Sequence, residues 1–96
     1  MEFEWDVDKN RQNISKHGVS FEDAIKIFEG FTFDVSDDRF NYDEERTISI
    51  GIAGNIAVLV VVHTDRDGNC RIISARQATT RERKRYEKAL RQTFNS

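Results

Sequence analysis

Residues Ile56-Ala57-Val58-Leu59-Val60-Val61-Val62 form an unbroken apolar run, with Gly54-Asn55 before it and Asp67-Gly68 a few residues after it. A run this short and this rich in β-branched side chains reads as a strand, and having no polar face it must lie inside a sheet covered on both sides. The flanking Gly-Asn and Asp-Gly pairs suit tight turns that need positive φ, so the strand's chain neighbours return antiparallel to it. Upstream, the pattern is β from Arg46, with Ile48, Ile50 and Ile52 on one face. Downstream, a last strand runs from Cys70 to about Gln77; strict alternation places Ile73 and Ala75 on one side and Cys70, Ile72, Ser74 and Arg76 on the other.

The covering layers come from the two ends of the chain. Phe3 and Trp5 alternate with acids as a short entry strand. Asp8 is positioned to cap a helix reaching about His17, where Gly18 supplies a left-handed stop; Ile14 is almost its only apolar residue, so the helix is expected to be mostly solvated. Ser20 and Asp23 open a second helix with Phe21, Ala24, Ile25 and Phe28 on one face, ending at Gly30. Phe31, Phe33 and Val35 alternate as a strand, and a polar loop spans Asp37 to Glu45. Thr79 and Glu82 fit a capping box for a final helix to about Phe94, whose buried stripe is Tyr86, Ala89, Leu90 and Thr93 or Phe94. The class is α+β: a short strand and two helices, an antiparallel sheet of about four strands, and a C-terminal basic helix. At 96 residues this is one domain, 1–96, with room for a single core and one shallow site.

Charge is distributed unevenly. Residues 1–47 hold 6 Lys and Arg against 13 Asp and Glu, whereas residues 48–96 hold 9 against 4, which the formal net charge of −2 conceals. Such asymmetry points to interaction, often with nucleic acid through the basic part. No apolar run approaches the roughly 18 residues that span a bilayer, and the acidic start is unlike a signal peptide, so no membrane partner and a cytoplasmic location are expected. One cysteine, Cys70, cannot form an intrachain disulfide, and with His17 and His63 it lacks metal-ligand spacing. Neither metal nor other cofactor is expected.

The candidate site lies in the basic half. Arg71 and Arg76 sit on the last strand, His63 and Arg66 lead into the preceding hairpin, and Arg81, Arg83, Lys84, Arg85, Lys88 and Arg91 stud the final helix. Converging on one sheet edge, these donors suit a phosphodiester, to which arginine offers a bidentate fork. If the polymer is RNA, its 2′-OH is the nucleophile, and the protein has only to align it, assist proton movement and stabilise charge on five-coordinate phosphorus. Arg66 and Arg76 are placed for charge stabilisation. His63 titrates near neutrality and suits an acid or base, or equally a hydrogen-bonded residue closing a strand. Tyr86 can stack on a base, although its helical position favours the core. Lys16-His17-Gly18 suits contact with phosphate or, equally, cations at a helix C-terminus, the preferred reading, and Asp43-Glu44-Glu45 offers a general base but reads more often as a solvated loop or a docking point for basic residues.

Taken in order, Phe3-Glu4-Trp5-Asp6, the segment from Asn13 to Phe21, Glu44-Glu45-Arg46, His63-Thr64-Asp65-Arg66 and Arg71-Ile72-Ile73-Ser74-Ala75-Arg76 resemble the BrnT toxin family over nearly the whole chain. The resemblance implies a RelE-like ribonuclease fold and the toxin role in a type II toxin–antitoxin pair, inhibiting translation by cleaving RNA. It implies as partner the ribbon-helix-helix antitoxin BrnA, with operator DNA bound only through the joint complex. The family's functional arginines map to Arg66 and Arg76, with His63, Arg71 and Tyr86 as further matches. Where family members often carry Asp-Pro after the second helix, this chain has Phe28-Glu29-Gly30. The competing reading is a non-catalytic module that grips nucleic acid or an acidic protein and acts as a co-repressor.

Overall fold

The computed structural model describes residues 2–39, 43–55 and 57–95. Strands β2 (Thr32–Ser36), β3 (Thr47–Ala53), β4 (Ala57–Arg66) and β5 (Asn69–Gln77) form the antiparallel ladder expected from the hairpin signals. Gly54, Asp67 and Gly68 all adopt positive φ at the two turns. The entry strand β1 (Phe3–Glu4) adds a fifth member, parallel to β5, giving the order β1-β5-β4-β3-β2 and a mixed sheet rather than a purely antiparallel one. Ile56, expected to begin the apolar strand, and positions 40–42 of the polar loop lie outside the described residues.

Both faces of β4 are covered, as its composition requires. On one face, Leu59 and Val61 pack with Cys70, Ile72 and Ala75 under Phe21 and Ala24 of helix α2 (Phe21–Ala24), Ile27 of a 3₁₀ turn over Ile25–Glu29, and Val19 of the link between helix α1 (Val7–His17) and α2. On the other, Val60 and Ile50 meet Tyr86 of α3 (Thr80–Phe94), flanked by Phe31, Phe33 and Leu90.

Three local details depart from simple pattern. First, α1 is capped by Asp6, whose carboxylate accepts from the backbone N–H groups of Asp8 and Lys9, and not by Asp8. Second, α1 is polar yet anchored: Asn10 and Asn13 are buried while Ile14 stays exposed. The Asn13 amide donates to the carbonyls of Val19 (2.8 Å) and Ala75 (2.7 Å) and accepts from Ala75 N–H (3.2 Å), and Asn10 accepts from Phe21 N–H (2.9 Å). Third, β5 carries a bulge. Val62 pairs with Ser74 but His63 pairs with Ile72, leaving Ile73 as the extra residue. The bulge reverses the alternation: Cys70, Ile72 and Ala75 share the α1/α2 face, and Ser74 and Arg76 share the α3 face with Arg71 instead of with Cys70 and Ile72.

Candidate functional site on the open half of the sheet

Helix α3 crosses the β2–β3 side of its face, so the half built on β1, β5 and the far end of β4 is left without a helix. The ladder register decides what lies there. Val60, Val62, Thr64 and Arg66 alternate onto this face of β4, and their β5 partners are Arg76, Ser74, Arg71 and Asn69. Glu4, opposite Arg71 on β1, joins them. Arg46 precedes β3 in phase with Ile48 and Ile50, and Arg39 follows β2.

Every arginine of this group meets a carboxylate. Arg76 binds Glu82 through two parallel bonds, Nη1 to Oε1 at 2.7 Å and Nη2 to Oε2 at 2.8 Å. This pair raises the pKa of Arg76 further and, with the Thr79 N–H, holds that of Glu82 down to about 2. Arg71 Nη1 donates to Glu4 Oε2 at 2.7 Å, and Asn69 donates to the other oxygen at 3.3 Å. The hydrogen bond from Arg71 is the main reason the Glu4 pKa is lowered, and the field of Arg66 adds to it. Glu44 lies between Arg66 (3.3 Å) and Arg46 (3.6 Å). Arg39 forks onto the buried Asp37 and lies close enough to Arg76 to oppose its charge. Arg66, Arg71 and Arg76 remain partly exposed, presenting planar donors to solvent from adjacent strands.

The sequence candidates therefore divide. Arg66, Arg71 and Arg76 share one surface. His63 lies on the opposite face, half-buried edge-on to Phe28 at a ring separation of 5.0 Å. Its Nε2 is 2.7 Å from Ser49 Oγ, which donates its one proton to Asp34 Oδ1 at 2.6 Å, so the tautomer with a proton on Nε2 donates to Ser49 Oγ. Burial lowers the His63 pKa, favouring the neutral ring, while Asp34 opposes that shift. Tyr86 is a core residue: it is 3% exposed, and its hydroxyl donates to the Phe31 carbonyl at 3.1 Å. Arg81, Lys84 and Arg85 are exposed on α3, with Arg85 lying 5.4 Å over the Phe33 ring. Arg39 and Arg46 were not singled out from sequence; the phase of Arg46 with Ile48 and Ile50 is a usable signal, whereas Arg39 in its loop offers none.

Chemically, the surface is a set of arginine forks held in place by carboxylates, suited to an extended polyanion whose phosphates meet the N–H groups left facing solvent. Among the described residues no cluster of three His, Cys, Asp or Glu has metal-binding geometry, and no helix is long and apolar enough to cross a membrane.

Comparison with known proteins gives a consistent result. The family model for the ribonuclease toxin BrnT of type II toxin–antitoxin systems matches residues 5–82. The crystal structure of the Brucella abortus ribonuclease toxin BrnT is similar in fold, with a TM-score of 0.63 at 24% identity over 83% of this chain and 99% of that one. The comparison with curated proteins gave no match.

Proposed function

Because the chain belongs to the BrnT family of ribonuclease toxins of type II toxin–antitoxin systems, we propose that it cleaves RNA on the open half of its sheet, with Arg66, Arg71 and Arg76 as the groups that meet the phosphate. The observation that carries this reading is the shared face of these three residues, achieved on β5 only through the bulge at Ile73. The RNA 2′-OH gives up its proton to solvent as it attacks the adjacent 3′-phosphorus in line, the P–O5′ bond breaks with the leaving oxygen taking a proton from solvent, and the products end in a 2′,3′-cyclic phosphate and a 5′-hydroxyl. Guanidinium groups compensate the charge that grows on the equatorial oxygens, so no metal is needed in that role. Arg81, Lys84 and Arg85 on the exposed side of α3 extend the positive field along the RNA backbone. His63, on the other face and bonded through Ser49 to Asp34, is assigned to holding β2, β3 and β4 together.

Membership of a type II pair brings an antitoxin partner. We assign it to the ribbon-helix-helix class, acting by covering the arginine face in the cytoplasm, with operator DNA reached only through the complex. The reading is tested by expressing the toxin alone and assaying the purified chain on RNA. Arg76→Ala and Arg66→Ala are expected to lower cleavage by about 100-fold or more, the usual scale for losing one preorganised charge-stabilising donor, and to relieve growth arrest while the fold persists. Full toxicity and cleavage in both variants would remove these residues from the site. RNA binding without turnover by the unmodified chain would favour a co-repressor module instead.

A further inference from the structure

We propose that Glu82 is a positioning residue that turns Arg76 so that the side edge of its guanidinium, Nε–H together with the outer Nη2–H, faces the substrate phosphate. The inference rests on the assignment of Arg76 to the phosphate site and extends it to a residue that touches no substrate.

A guanidinium has five N–H bonds and two edges able to grip an oxyanion pair: the end edge, formed by both Nη groups, and the side edge, formed by Nε and Nη2. In Arg76 the end edge is taken by Glu82, at 2.7 and 2.8 Å, and the remaining Nη1 proton goes to the Gln77 carbonyl at 3.2 Å. The side edge makes no hydrogen bond to a described residue, and the side chain is 41% exposed. One fork is thus used for holding and the other is left open. Glu82 is itself immobilised. Its Oε1 accepts from Thr79 N–H at 2.9 Å while Thr79 Oγ1 accepts from Glu82 N–H at 3.2 Å, the reciprocal cap that begins α3. The orientation of Arg76 is therefore referred to the start of a helix packed on the sheet core, not to a mobile side chain.

The test compares kcat and KM for a short RNA, together with the ¹⁵N-resolved Nε–H signal of Arg76 on addition of inorganic phosphate. Glu82→Gln should lower kcat by about 10- to 100-fold, the scale of losing alignment by a fraction of an ångström to an ångström, with KM little changed and with a weakened phosphate response at Nε–H. Arg76→Lys, which keeps the charge but has no planar fork, should lose activity likewise. Ile14→Ala, exposed on α1 on the other side of the sheet, is the control and should leave kcat within about twofold. Should Glu82→Gln fail to fold, Glu82→Asp, which keeps the charge but shortens the reach, carries the same expectation. Unchanged or increased kcat in the Glu82 variants, beside an inactive Arg76→Ala, would overturn the positioning role while leaving the site intact. An active Arg76→Ala would instead overturn the site assignment on which it rests.

Discussion

At Asn13 a polar side chain anchors a helix that has almost no apolar face. Its amide closes three bonds to the backbone of Val19 and Ala75, fixing α1 against the middle of β5, one residue from Arg76. Removing the amide leaves buried backbone groups of β5 and the Val19 loop without partners, at about 1–3 kcal/mol for each group that water does not reach. Asn13→Ala should therefore lower stability by about 2–3 kcal/mol, seen as a reduced urea midpoint at constant m-value, whereas Ile14→Ala, exposed on the same helix, should change it by no more than about 0.5 kcal/mol. This anchor was not legible in the sequence, where asparagines in a polar helix look solvated; the partner in Ala75 is 62 residues away along the chain. Tyr86 was legible, since helical spacing with Leu90 already placed it in the core.

At the scale of elements, close approach and capping set how the helical layers seat on the two faces of the sheet. Gly51 lets the 3₁₀ turn rest directly on β3: a Cβ there would lie 2.9 Å from Ile27 Cβ and 3.2 Å from Thr32 Cγ2. Gly51→Ala is expected to cost about 1–3 kcal/mol through overpacking, measurable as a lowered thermal midpoint. The cap of α3 should be visible in acid. Glu82 has a folded pKa of about 2 against an ordinary value of 4.5, so the unfolded chain takes up its proton first. The stabilisation it provides is complete above about pH 4.5 and is lost as pH falls towards 2. Equilibrium unfolding across that window should show stability falling with acid, and Glu82→Gln should flatten the slope. The capping box, the hairpins and the doubly covered β4 were all readable from residue spacing. The bulge was not, because Arg71 to Arg76 is compatible with unbroken alternation; the extra residue is set by packing Cys70 and Ile72 beneath α2 and the 3₁₀ turn. Likewise Phe3 and Trp5 announce a strand but not its parallel seat beside β5.

Over the whole molecule, the acidic first half and the basic second half meet on one surface. Glu4 binds Arg71 and Glu44 binds Arg66, so part of the sequence asymmetry is spent within the fold. The arginines are thereby held in order by their carboxylate partners, the preorganisation that the proposed stabilisation of phosphate charge requires. The cations of α3 differ: no ion pair within 4 Å joins Arg81, Lys84, Arg85 or Lys88 to a described carboxylate, and the helix keeps an outward positive face. Position along the chain suggested that His63 joins the arginines; the sheet separates them, since a residue one step out of phase on a strand points to the other side. The proposed chemistry on this arginine face is cleavage of RNA by attack of the 2′-OH without a metal ion. It is tested most directly by incubating the purified toxin with RNA in excess EDTA and identifying the new ends. The expected result is cleavage that leaves 2′,3′-cyclic phosphate and 5′-hydroxyl termini and is lost in Arg76→Ala. Cleavage that needs added magnesium, or that leaves 5′-phosphate ends, would contradict it.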